Sequence, residues 1–100
     1  MRRGEIWHYE PVINRAGQST DRLIVSSNSI NNTELPTVLV VHIVDRDPES
    51  LLAVRIGDRG WAVATAVERP VRKRLTERVG EATAAEMEQL DNALRATFDL

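Results

Sequence analysis

Two side chains near the middle of this chain have the chemistry to work together. Arg22 opens the apolar run Arg22-Leu23-Ile24-Val25, and His42 lies inside a second one, Val40-Val41-His42-Ile43-Val44. An imidazole changes charge near neutral pH, so it can both take and give a proton. A guanidinium keeps its charge and can neutralise a developing anion. Asp45 follows closely and offers a carboxylate to orient the imidazole. The alternative is a histidine that only satisfies a hydrogen bond near the end of an apolar strand. His8 is remote from His42 and neither has a carboxylate triad beside it, so no metal site and no cofactor are expected. The dense basic cluster is Arg69, Arg72, Lys73, Arg74 and Arg78. Such a cluster is either solvated surface or a grip on a phosphate backbone or an acidic segment.

The elements that must position these groups can be read from periodicity. Glu5-Ile6-Trp7-His8-Tyr9-Glu10 alternates, which puts Ile6 and His8 on one face of a strand and Trp7 and Tyr9 on the other. Pro11 stops it, and Asn14 to Asp21, with Gly17, reads as a loop. Leu23 to Ser26 is a second strand. Ser27 to Asn32, rich in Ser and Asn, is a turn or one helical turn. Thr37 to Val44 is continuously apolar and β-branched, as in a strand covered on both faces. Asp45 to Ser50 is a turn and Leu51 to Ile56 a strand. Gly57-Asp58-Arg59-Gly60 is a hairpin turn, and Trp61 to Ala64 is the returning partner. Val67 to Val71 reads as a short edge strand because of Pro70. Arg72 to Arg78, with Leu75 and Val79 four apart, suits a helical turn that Gly80 ends.

Thr83 and Glu86 have the spacing of a capping box. Met87, Leu90, Leu94 and Phe98 follow at three- and four-residue intervals and predict one amphipathic helix. Short strands followed by a packed helix indicate a mainly β, α+β fold: a small, strongly bent sheet or barrel plus a C-terminal helix. Trp7 and Trp61 read as core residues, with base stacking as the alternative for Trp7 and a subunit contact for Trp61.

With 100 residues the chain is the size of one compact domain. At 42% apolar but only 4% aromatic, its core must be mostly aliphatic. A domain this small buries about two-thirds of its unfolded surface, so a partner subunit would add useful burial. The absence of cysteine excludes disulfides and thiolate metal sites and fits a cytoplasmic location. No stretch is long and apolar enough for a membrane span, and no membrane partner is expected. A net charge of −2 gives no global attraction to nucleic acid, so any such contact rests on a local patch.

The opening Met1-Arg2-Arg3-Gly4-Glu5-Ile6-Trp7, the polar loop after it, and an apolar strand ending in Ser26-Ser27-Asn28 resemble the MazF/PemK toxin family. That family also contains the gyrase-poisoning CcdB toxins, and most of its members are sequence-selective ribonucleases. The resemblance covers nearly the whole chain. It implies one SH3-like β-barrel domain over residues 1–100, forming a homodimer. It also implies a cognate antitoxin with an acidic C-terminal segment as partner, and single-stranded RNA as substrate. Ribonucleases of the family cleave without metal, using the RNA's own 2′-hydroxyl.

The resemblance further implies two site residues: an Arg in an Arg-Pro pair opening the second strand, and a Thr or Ser just after the third. Aligned without gaps on Ser26-Ser27-Asn28, the Arg falls on Thr20 and its Pro on Asp21, while the Thr falls on Val44 and the Pro before it on His42. Arg22, two positions from Thr20, faces the same side of a strand and can serve the same groove. Valine has the shape of threonine without its hydroxyl, so that interaction is lost.

Two functions follow. One is a toxin acting as a ribonuclease with a rearranged site, in which Arg22 stabilises the phosphate and His42 moves protons. Arg15, Thr20, Asp45, Arg69, Arg72 and Lys73 would then bind RNA or the antitoxin. The other is a non-catalytic member that holds an antitoxin peptide, a nucleic acid or a protein target such as gyrase. The chain ends Phe98-Asp99-Leu100 and lacks the Trp-Gly-Ile-type tail by which CcdB toxins reach gyrase.

Overall fold

A computed structural model describes residues 1–13, 16–17 and 19–100. Six strands form one antiparallel sheet: β1 (Glu5–Tyr9), β2 (Asp21–Ile24), β3 (Val40–Val44), β4 (Ala53–Ile56), β5 (Gly60–Glu68) and β6 (Leu75–Glu81). Their order is β4-β5-β3-β2-β1-β6. The outer strands β4 and β6 do not pair with each other, so the sheet is open and not a closed barrel. A one-turn helix α1 (Asn28–Asn31) follows β2, and α2 (Ala84–Phe98) packs on β4 and β5.

Alternation along the strands sorts the apolar residues into two cores. Ile6, Leu23, Val41, Ile43, Val54, Ile56 and Ala62 face α2 and meet its buried Leu90 and Ala93. On the opposite face Ile24, Val38, Val40 and Leu75 form a smaller cluster, with Met1, Trp7 and Tyr9 against it. The β-branched run around β3 is thus covered on both sides, as its composition predicts. Its paired segment is shorter than expected, however. Thr37 makes only an isolated bridge to Val71, and the ladder starts at Val40.

The opening motif is scaffold. The Arg3 backbone N–H donates to Asn28 Oδ1 (2.7 Å) and its Nε to the Val25 carbonyl (2.9 Å). Its NH2 pairs with Asp91 of α2 at 2.5 Å. Ser26 is buried; its Oγ donates to Asn31 Oδ1 (2.5 Å) and accepts from the Leu39 N–H (3.2 Å). These bonds end β2 at Ile24 rather than at Ser26 and fold the Ser/Asn-rich segment into α1.

Three expectations change on the C-terminal side. Val67 to Val71 is not a separate strand, because β5 runs unbroken to Glu68 and pairs with β3 at Val40 and Val41. Leu51 and Leu52 lie in a turn before β4. Arg72 to Arg74 make a short 3-10 turn, but Leu75 to Glu81 form β6 against β1 instead of a helical turn. Leu75 is buried and Val79 packs against the main core, while Thr76, Glu77 and Arg78 between them are exposed, so two apolar anchors carry this edge strand. The capping box is as predicted: Glu86 N–H donates to Thr83 Oγ1 (3.1 Å) and Thr83 N–H to Glu86 Oε1 (2.8 Å). The Gly57 N–H donates to Glu86 Oε2 (2.7 Å), which ties the start of α2 to the β4–β5 turn. Phe98 is 55% exposed and does not complete the apolar stripe.

Candidate functional site

The β2–β3 register places Arg22 directly opposite His42, both on the face turned away from α2. From β5, Glu68 reaches the same point. Its Oε2 lies 3.0 Å from His42 Nε2, and its Oε1 lies 3.4 Å from Arg22 Nε. One carboxylate therefore fixes the imidazole and caps the guanidinium. His42 and Glu68 are each about one-third exposed, so the pair is open to solvent. They line a cleft of about 260 Å³ with Tyr9, Arg22 and the segment Pro11–Ile13.

Arg22 is placed differently from the expectation of an exposed phosphate grip. It is only 1% exposed. Its NH1 donates to the carbonyls of Ser19 (2.9 Å) and Asp21 (3.1 Å). Its guanidinium carbon lies 4.9 Å from the centre of the Tyr9 ring. A buried charge needs such compensation. Arg22 is thus a fixed cation in the floor of the cleft, and it holds the end of the β1–β2 connection through those two carbonyls.

Asp45 does not orient the imidazole; Glu68 does. Side chains alternate along a strand, so Asp45 emerges on the side of Ile43, opposite His42. Asp45 and Thr20 line a separate cleft of about 270 Å³ with Ser19, Asp21, Ile43 and Arg59. Ser19 Oγ donates to the Ile43 carbonyl there, and Arg59 pairs with Asp21 at 3.4 Å. Val44 lies on the His42 face opposite Trp61 and is half-buried, so no hydroxyl stands at that point. Arg15 lies outside the described residues.

The basic cluster is less available than its sequence suggests. Arg72 donates through Nε, NH1 and NH2 to the carbonyls of Leu35 (2.6 Å), Asn31 (2.8 Å) and Ile30 (2.9 Å). It is a brace between α1 and the 3-10 turn. Arg74 donates to the Glu10 carbonyl, and Arg78 pairs with Glu5 (3.4 Å) and Glu81 (2.7 Å). Arg69 and Lys73 are exposed and have no ion pair among the described residues.

Glu68, Tyr9 and the segment Pro11–Ile13 are the cleft residues that sequence reasoning missed. Tyr9 was legible as sharing a face with Trp7. Glu68 carried no local signal, since only the pairing of β5 with β3 brings it to His42.

A family model described as the PemK-like, MazF-like toxin of type II toxin-antitoxin systems matches residues 2–98. No curated protein sequence matches the chain. Among solved structures, the fold is similar to an endoribonuclease in complex with its cognate antitoxin from a mycobacterial species. That pair has a TM-score of 0.87 at 24% identity, covering 100% of this chain and 96% of the other. An endoribonuclease structure from a mycobacterial species, described without an antitoxin, gives a TM-score of 0.83 at 23% identity, covering 100% and 92%. A MazE–MazF complex from Deinococcus radiodurans gives 0.84 at 16% identity, covering 100% and 97%. At these identities the likeness is one of fold.

Proposed function

The chain belongs to the family of PemK-like, MazF-like toxins of type II toxin-antitoxin systems, and from that premise we propose that it is an endoribonuclease whose working pair is His42 and Glu68. The observation that carries this reading is the 3.0 Å contact between the two in an open cleft over the Arg22 cation. RNA cleavage by the internal route needs three things: removal of the 2′-hydroxyl proton, a proton for the leaving 5′-oxygen, and stabilisation of charge on the phosphorane. Glu68 accepts the proton of the 2′-hydroxyl as its oxygen attacks the adjacent phosphorus. Protonated His42 gives its proton to the 5′-oxygen as the phosphorus–5′-oxygen bond breaks. The products are a 2′,3′-cyclic phosphate and a 5′-hydroxyl end. Transfer of the proton from Glu68 to His42 along their contact resets the pair. Arg22 acts from beneath, holding Glu68 and placing positive charge under the site.

The substrate in this reading is single-stranded RNA, and the protein works in the cytoplasm as a homodimer. Its antitoxin presents an acidic C-terminal segment to exposed Arg69 and Lys73. The second reading, a non-catalytic member acting by binding alone, is favoured by Val44 and by the burial of Arg22.

The test is cleavage of a long mixed-sequence single-stranded RNA in EDTA by the protein, His42→Ala and Glu68→Gln. Cutting that both variants lose, with cyclic phosphate ends, is the expected result. Absence of cutting by folded protein leaves the binding reading standing.

A further inference from the structure

On the face that carries His42, two residues along β3, a second arrangement suits a nucleic acid. Val44 follows His42 on that face and pairs with Trp61 of β5, which in turn pairs with Arg55 of β4. Val44 is the next β3 residue on that face after His42, so its partner Trp61 stands one step along the face from the His42–Glu68 cleft. Trp61 belongs to neither apolar cluster and is half-buried, although large aromatics are normally core material. The Arg55 guanidinium carbon sits 4.3 Å from the centre of its ring. Arg55 is exposed, and its Nε donates to the Gly57 carbonyl (2.7 Å), which fixes the guanidinium in place. No carboxylate pairs with Arg55 among the described residues.

We propose that the Arg55–Trp61 pair is a stacking platform for the base of a nucleotide flanking the scissile phosphate. Nucleobases stack on indole rings and on arginine planes with little regard to sequence, because every base offers a flat face. A cation layered on a tryptophan therefore presents both a stacking surface and charge for the adjacent phosphate. Continuity along β3 assigns the occupant. A strand of RNA with its phosphate at His42 and Glu68 runs past Val44, whose apolar side chain makes no polar claim on it, and reaches Trp61. The absent hydroxyl at position 44 then marks a stretch of apolar contact between two polar stations. The proposal deepens the ribonuclease reading, on which it rests for the position of the phosphate.

The experiment measures binding separately from cutting. A fluorescently labelled, mixed-sequence single strand with 2′-O-methyl sugars cannot be cleaved by the internal route, and its anisotropy reports binding to the whole chain. Trp61→Leu is expected to bind about tenfold more weakly, in line with the worth of one base–aromatic stack. Trp61→Phe should recover most of that loss. Arg55→Lys, which keeps the charge but not the plane, should stay weakened. Thermal unfolding of each variant reports whether it folds.

Equal binding by wild type and folded Trp61→Leu overturns the platform, and so does a wild type that does not bind the strand. A loss in Trp61→Leu that Phe does not recover also overturns it, because apolar packing rather than stacking would then explain the effect. If Trp61-dependent binding is found but unmodified RNA is not cut, the ribonuclease reading fails, and Arg55 and Trp61 stand as a base-stacking platform of a binding surface with no scissile phosphate beside it.

Discussion

His42 Nε2 and the Glu68 carboxylate lie 3.0 Å apart although they are 26 positions apart in sequence. The contact depends on an irregular ladder. Val41 pairs with Val67, but Ile43 pairs with Ala62, so the β5 segment between these pairs is longer than the β3 segment opposite it. β5 pairs with β3 on both sides of the irregularity, and with β4 only through Gly60 to Val63. Such irregularities redirect side chains at the edges of sites. Here one lets a glutamate from the end of β5 meet an imidazole in β3.

Because the two side chains share a hydrogen bond and hand one proton between them, they should behave as a unit. Removing either is expected to slow RNA cleavage by about 10²–10⁴-fold, the usual worth of a positioned acid or base. The double variant His42→Ala, Glu68→Ala should be no slower than the worse single variant, as groups that act together are strongly non-additive. Single-turnover rates for the four proteins measure this. Losses that multiply would mean that His42 and Glu68 act independently.

Arg22 should prove a stability residue before it proves anything else. Arg22→Ala removes a buried cation that stacks on Tyr9 and satisfies two carbonyls, and it leaves those carbonyls without their donor. The expected cost is about 2–4 kcal/mol, because two carbonyls lose their donor at roughly 1–3 kcal/mol each while Glu68 keeps its solvent. Urea unfolding of Arg22→Ala and Arg22→Lys checks it, with Lys expected to be intermediate because one ammonium cannot reproduce the fork. An Arg22→Ala protein as stable as wild type would sink the structural role and return Arg22 to the open cleft.

The residues that made the family recognisable are the ones that hold the frame, which explains what was legible and what was not. Arg3 and Asn28 are bonded to each other, and Ser26 is bonded to Asn31. Such local, polar, position-specific contacts leave a pattern that can be read in the chain. The capping box at Thr83 and Glu86 is legible for the same reason. The strand β6 was hidden because its run Thr76-Glu77-Arg78 is exposed and the four-residue spacing of Leu75 and Val79 reads as a solvated helical turn, although the two enter different cores. Glu68 was hidden for a different reason. Its role is set by strand pairing far along the chain, and no spacing rule reports that. His42 and Arg22 could be placed on one face from period two alone, but the burial of Arg22 depends on Tyr9, Ser19 and Glu68 closing over it.

Gly60 should tolerate no side chain. Its φ is +125°, and a Cβ there would drive into the Val44 carbonyl, where backbone and not a flexible side chain would have to yield. This close approach seats Trp61 opposite Val44. Gly60→Ala is expected to cost about 3 kcal/mol or more, from backbone strain together with a disturbed β3–β5 ladder. Chemical denaturation checks it, and Gly57→Ala, where φ is +47° and a Cβ meets nothing within 4 Å, provides a comparison with left-handed backbone but no close approach. Equal losses at the two glycines would show that the close approach to Val44 is not what requires Gly60.

Glu5 gives the fold a defined response to acid. Burial on its own would raise its pKa, but donors and charge outweigh that. The Arg2 backbone N–H (2.9 Å) comes first, then the Trp7 indole (3.1 Å) and the Arg78 guanidinium (3.4 Å), and the carboxyl ends below its ordinary 4.5. A carboxylate whose pKa is lower in the folded chain than in the unfolded one stabilises the fold at every pH above the unfolded value. That contribution declines as pH falls below 4.5 and is gone once the folded pKa is passed. Wild type should therefore be more stable than Glu5→Gln near neutrality, with a gap that is flat above the ordinary carboxylate range and narrows on acidification. Urea unfolding of the two proteins across that range measures the gap. If it stays constant into acid, the three donors hold the side chain equally well uncharged, and the ionised form of Glu5 contributes nothing to joining β1 with β6.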